Sequence, residues 1–219
     1  VSGGDNVTAV CRMHEVQDPI RGRAPLVTYN GRGFLSDNVH LGWDINLPEG
    51  EPIYPIGCGV VRVARAAQGY GTFVVVIEHH LSSPMRVVTG DGFVEYTDQF
   101  LSIYGHLRPT LDRAGRTGRL SVYPGKIVSP STVIGYVQHR DLNGDGNEHL
   151  HLGIRLQTSA DAMITDPRAW FRGYDTTPTM RGWFSDPQDV LRSLQEQFQS
   201  ASTPTYAVFE SPENLYFLE

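Results

Sequence analysis

In its best-defined stretches the chain alternates apolar and polar residues, the period of a half-buried β-strand. The clearest stretch is Glu148-His149-Leu150-His151-Leu152-Gly153-Ile154-Arg155-Leu156. Leu150, Leu152, Ile154 and Leu156 fall on one side and suit a core, while His149, His151, Gly153 and Arg155 fall on the other. Phe73 to Ile77 is apolar on both faces, which predicts a central, doubly covered strand ending at His79 and His80. Short strands are predicted in Pro52–Gly57, Gly59–Ala64, Phe100–Leu107, Lys126–Val128 and Val133–Val137. Met85-Arg86-Val87-Val88 and Phe93-Val94-Glu95-Tyr96 flank Gly90-Asp91-Gly92 and read as a hairpin. Helical periodicity is confined to the C-terminal part. Asp166 to Phe171 reads as a capped turn with proline first, and Ser185-Asp186-Pro187 opens a helix to about Gln199. Its apolar stripe is Val190, Leu191, Leu194 and Phe198. The pattern predicts a mainly β domain over residues 30–160. Residues 1–29 pack on it or shield it, and residues 161–212 extend it with a helix near 187–199.

Composition supports a turn-rich β protein: 23 glycines, 14 prolines and only 19% charged residues. The formal net charge of -6 argues against a general nucleic-acid binder. No apolar run reaches the length of a membrane span. The chain starts at Val1, which suits a processed or truncated N-terminus and leaves export open. Cys11 and Cys58 are the only cysteines and lack metal-binding spacing; they form either one disulfide in an oxidising compartment or two buried thiols. Residues 213–219 resemble a protease-cleavable tag remnant and are set aside.

The polar side of the 148–156 strand carries two imidazoles about 7 Å apart, which is either an invitation to a divalent metal or an ordinary surface pair. Val39 to Leu47 adds His40 and Asp44. Gly42 and Pro48-Glu49-Gly50 argue against a helix there, so an extended chain puts His40, Gly42 and Asp44 on one side, with Gly42 leaving open space. The pair is either a set of metal ligands or a His–Asp hydrogen bond that pins a loop. His106, just before Pro109, lies at a strand-to-loop junction. A catalytic zinc needs three protein ligands and an open position. His40, Asp44 and one of His149 and His151 would supply them. The remaining strand histidine and His106 would then be free to move protons or stabilise an oxyanion. Asp141, Asn143, Asp145 and Glu148 are candidate calcium ligands, because they space oxygens like the first half of an EF-hand loop; position twelve of that pattern, however, is Leu152. The alternative is an acidic turn bonded to its own backbone. Arg113, Arg116, Arg119 and Lys126 mark a basic loop, read as solvated.

His40-Leu41-Gly42-Trp43-Asp44, Gly69-Tyr70-Gly71 leading to Val74-Val75-Val76-Ile77-Glu78-His79, Tyr104-Gly105-His106-Leu107 and His149-Leu150-His151 occur in the order of the M23 metallopeptidases. The chain thus resembles the lysostaphin and LytM-like peptidoglycan endopeptidases over roughly residues 30 to 156. The resemblance implies an antiparallel β sandwich with a C-terminal helical extension. It implies His40, Asp44 and His151 as zinc ligands and His106 and His149 as the unligated catalytic pair. It implies hydrolysis of peptide bonds in bacterial peptidoglycan through water on the metal, by an exported, periplasmic or cell-wall protein; the oligomeric state stays open, with a monomer favoured. The alternative is an inactive, wall-binding activator of other hydrolases, but such relatives lack site residues and all five are present here. The segment between His80 and Tyr104 is longer than is usual in the family. The acidic 141–148 loop replaces a Gly/Ser/Thr-rich one, and residues 160–212 exceed the minimal domain. These departures bear on the groove walls and on substrate choice rather than on the chemistry.

Overall fold

The computed structural model describes residues 11–20, 30–67, 69–110, 122–156, 172–174 and 182–202. In chain order the strands are β1 (Arg12–Met13), β2 (Gly31–Arg32), β3 (Trp43–Asn46), β4 (Pro52–Ile53), β5 (Gly59–Arg65) and β6 (Phe73–Val88). They continue with β7 (Val94–Arg108), β8 (Ile127–Val128), β9 (Gly135–Val137), β10 (His149–Leu156) and β11 (Phe184–Ser185). Among the described residues they are accompanied by a 3-10 turn at Ser36–Asn38 and the α-helices α1 (Arg140–Asn143) and α2 (Pro187–Ser202). The sheet runs β2-β3-β10-β7-β6-β5-β8. All pairings are antiparallel except β1 with β6, so the fold is of the mainly β, antiparallel class expected.

Alternation sorts the side chains onto two apolar faces. Ile45, Val75, Ile77, Tyr104, Leu150, Leu152 and Ile154 pack on one, with Val190, Leu191 and Leu194 of α2 closing over them. Leu41, Val63, Val74, Val76, Leu101, Ile103 and Phe184 pack on the other. The β6 residues divide between the two, which is why Phe73 to Ile77 needs no polar position. Each such buried side chain contributes roughly 1.5–3 kcal/mol. The α2 stripe is the one read from the sequence, and Asp186 caps its start by accepting the Gln188 amide at 2.9 Å. The expected turn at Asp166–Phe171 and Arg113, Arg116 and Arg119 lie outside the described residues.

The structure departs from the reading at His79 and His80. The strand does not end there: β6 runs on to Val88 and pairs with β7 to the hairpin turn. His79 is fully buried. Its Nδ1 donates to the Cys58 carbonyl at 2.9 Å, its Nε2 meets Ser102 Oγ at 2.7 Å, and its ring stacks on Phe100. Satisfied in this way, a histidine can sit in a strand interior. Burial lowers its pKa from 6.5 to about 4. The unfolded chain therefore takes up a proton that the folded chain refuses, so stability is greatest above pH 6.5 and falls as pH drops towards 4. Urea unfolding across that range should show this decline, and His79→Asn should make it shallower.

Residues 11–20 belong to the same core. Met13 and Ile20 are buried, the Gln17 amide donates to the Ile56 carbonyl, and its side chain donates to the carbonyls of Pro55 and Pro130. Cys11 and Cys58 form a disulfide, which decides between the two readings of the sequence. It closes a loop with a sequence separation of 47 residues, a length for which chain entropy gives about 4 kcal/mol. Cys11→Ser with Cys58→Ser should lose about 2–4 kcal/mol of unfolding free energy, measured by denaturant titration.

Candidate metal centre and its histidine pair

Three strands bring the site residues together. The β3–β10 register sets Asp44 opposite His151 and Asn46 opposite His149, and the β7–β10 register sets Gly105 opposite His151. His40 lies just ahead of β3. The face of β10 that carries the histidines is not an outer surface: all eight of its residues are buried.

His40 Nδ1 donates to the Gly33 carbonyl at 2.8 Å, which leaves Nε2 with its lone pair. That atom lies 3.1 Å from Asp44 Oδ1 and 3.2 Å from His151 Nδ1, and the last two are 3.0 Å apart. A tetrahedral zinc with bonds of about 2.0–2.1 Å separates its ligand atoms by about 3.3 Å. The three atoms therefore have the size of one face of such a shell, and the donor set of two imidazoles and a carboxylate is one that zinc takes. Burial opposes the charge of Asp44, but the adjacent His151 and His40 imidazoles outweigh it and hold the carboxyl well below the usual carboxylate range. Burial pushes His151 down despite Asp44, which favours the neutral imidazole that a metal needs.

Gly42 was expected to leave space between the ligands. In the structure that space holds the His151 ring: a Cβ on Gly42 would lie 2.7 Å from His151 Nε2 and 2.5 Å from the Leu152 carbonyl oxygen. Gly105 is likewise open because the Tyr70 ring fills the place of its side chain.

His106 and His149 stand beside this centre with ring centroids 4.2 Å apart. His106 Nδ1 donates to the Asn143 carbonyl and His149 Nδ1 to the Asn147 carbonyl, each at 2.8 Å. Both Nε2 atoms are thus lone-pair carriers, buried and without a hydrogen bond among the described residues. His149 Nε2 is 3.6 Å from Asp44 Oδ1, so the pair adjoins the ligand triangle. Burial, then the neighbouring His149 and His151, lower His106 to about 4, so it is neutral at ordinary pH. Its backbone is left-handed, φ 59°, inside β7. A non-glycine residue held there costs roughly 1–3 kcal/mol, and such strain collects at functional sites.

The acidic loop does not gather around a cation. Asn143 is buried, and its Oδ1 accepts the amides of Asp145 and Gly146 while its side-chain amide donates to the Asn147 carbonyl. Asp145 Oδ2 turns to His149 Nε2 at 3.3 Å. Glu148 groups with Glu49 and His139, and Asp141 sits beside His139 at 3.4 Å. Among the described residues the carboxylates of Asp141, Asp145 and Glu148 do not converge. The calcium expectation gains no support: Asn143 Oδ1 and Asp145 Oδ1 accept amides of the loop itself, which is the other reading of the same spacing. The carbonyls of Asn143 and Asn147 instead fix the rings of His106 and His149.

Sequence reasoning missed three residues at this centre. Tyr70, named only within the Gly69-Tyr70-Gly71 motif, is buried, with its ring 5.5 Å from that of His106 and 5.3 Å from that of His151. Tyr174 lies against His40, ring centroids 5.0 Å apart, and Arg32 donates to its hydroxyl. The β2–β3 pairing places Arg32 opposite Asp44, but no local signal ties Tyr174 to a site 130 residues earlier in the chain.

Among solved structures, the catalytic domain of the antimicrobial peptidase lysostaphin from Staphylococcus simulans is 17% identical, with 76% of this chain and 91% of that one covered and a TM-score of 0.42. CbpA from L. salivarius REN is 19% identical, covering 84% of this chain and 99% of that one at a TM-score of 0.45. A zinc-containing peptidase from Vibrio cholerae is 22% identical, covering 67% and 34% at a TM-score of 0.36. No protein with a curated description matches the chain. The model of peptidase family M23 matches residues 38–162, more than half of the length and a span that contains His40, Asp44, His106, His149 and His151, and the chain belongs to that family.

Proposed function

We propose that the protein is a zinc endopeptidase that hydrolyses peptide bonds in bacterial peptidoglycan. The observation that carries this reading is the adjacency of two arrangements: a candidate ligand triangle of His40, Asp44 and His151, and the His106–His149 pair, whose buried Nε2 atoms make no hydrogen bond among the described residues. The three ligands would hold zinc, which supplies Lewis acidity to polarise a carbonyl and acidify water. His149 and His106 supply the proton chemistry of amide hydrolysis. With both Nε2 atoms carrying lone pairs, either ring can take a proton from the attacking water and then, as the imidazolium, pass that proton to the leaving amine. The carbonyls of Asn143 and Asn147 fix both rings in the tautomer that accepts at Nε2. The non-enzymatic alternative goes with missing site residues, and the presence of His40, Asp44, His106, His149 and His151 together supports the enzymatic reading.

Export to the periplasm or cell wall is supported by the disulfide, which persists in oxidising compartments. Among the described residues no helix is long and apolar enough to cross a membrane. Purified peptidoglycans of different cross-link type, digested with zinc-loaded protein and read by mass spectrometry, test the reading. Release of fragments with new amino termini, abolished by a chelator and restored by zinc, is expected. Intact peptidoglycan in every digest overturns it.

A further inference from the structure

Residues 172–174 lie beyond the family match, yet they are fastened to the ligand segment. The Leu41 amide donates to the Gly173 carbonyl at 2.8 Å, and Tyr174 forms an antiparallel bridge with His40. The approach is close: a Cβ on Gly173 would meet the Tyr70 hydroxyl at 2.8 Å and His151 Cε1 at 3.3 Å. The Tyr174 hydroxyl thereby comes to 3.4 Å from Asp44 Oδ2, whereas Oδ1 is the oxygen turned to both imidazoles. From the other side, Arg32 donates to the same hydroxyl at 3.0 Å, which directs the phenolic proton towards Asp44. Arg32 is itself fixed by the β2–β3 register opposite Asp44, by Ser36 Oγ at 2.9 Å and by Asp37 at 2.7 Å.

We propose that Tyr174, aimed by Arg32, is a positioning residue of the metal centre, whose hydroxyl engages Asp44 Oδ2 and leaves Oδ1 alone to bind metal. The inference rests on the reading of His40, Asp44 and His151 as a zinc site. A carboxylate can ligate through one oxygen or both, and the second mode would occupy a position that substrate or water needs. A hydrogen bond to the outer oxygen favours the first mode and fixes the plane of the carboxylate. The device is carried by Arg32 and Tyr174, both outside the span matched by the family.

Tyr174→Phe keeps the ring against His40 and removes only the hydroxyl. In the full chain, zinc affinity measured by chelator competition should weaken about 10-fold or more. The cobalt-substituted protein should show a weaker visible absorption, as a second carboxylate oxygen raises the coordination number. Arg32→Met, which leaves the hydroxyl but removes its donor, should shift both readouts in the same direction by less. Unchanged zinc affinity and cobalt spectrum in Tyr174→Phe overturn the proposal, provided that His40→Ala loses zinc. If His40→Ala also binds zinc as tightly as the parent, the zinc site itself is misassigned and the proposal falls with it.

Discussion

His151→Ala should bind no stoichiometric zinc and release no fragments from peptidoglycan. His151 Nδ1 is one corner of the ligand triangle, 3.0 Å from Asp44 Oδ1 and 3.2 Å from His40 Nε2. Two ligands do not hold a catalytic zinc at ordinary concentrations. The truncation also removes one of the imidazoles that hold the Asp44 carboxyl low, so the remaining buried carboxylate is left with weaker support. Zinc content after dialysis, with digestion measured on the same sample, checks this. Retained stoichiometric zinc would show that the triangle is not the metal site.

His149→Ala is expected to separate binding from chemistry. The variant should retain zinc, because His149 Nε2 lies 3.6 Å from Asp44 Oδ1 and belongs to the neighbouring pair rather than to the triangle. It should lose roughly 10²–10⁴-fold in hydrolysis, the usual worth of a general acid or base. His106→Ala should behave alike, and the double variant should lose little more than either single one, since the two imidazoles act as a unit. Full activity of His149→Ala would assign the proton chemistry elsewhere.

The part of this site that could be read from the sequence is the part set by strand alternation. In β10 the two-residue period puts His149 and His151 on one face, and in the extended 40–44 segment it does the same for His40 and Asp44. The family resemblance then divided the roles. What could not be read depends on contacts between distant segments. The pairing of Cys11 with Cys58 is settled by the packing of residues 11–20, which no spacing rule contains. The acidic loop left two readings open because Asp, Asn and Gly at alternate positions serve a backbone-bonded turn as well as a calcium loop. His79 looked like the end of a strand because an imidazole is rarely placed in a strand interior. The Cys58 carbonyl and Ser102 hydroxyl that permit it come from two other segments.

The fastening of Gly173 and Tyr174 to the ligand segment bears on how portable this centre is. The unit that could be grafted into another protein is longer than the stretch by which the family is recognised. A transplant ending at residue 162 would carry His40, Asp44, His106, His149 and His151, but would leave behind the hydroxyl on Asp44 and the carbonyl that holds Leu41. It would also lose Asp186, which accepts from the Trp43 indole beside Asp44, and the α2 residues that seal the core under β10. At the other end it would drop Cys11, and with it the covalent tie to Cys58. The transferable module therefore runs from Cys11 to the end of α2, and chimeras built on shorter boundaries inherit the ligands without the frame that holds them.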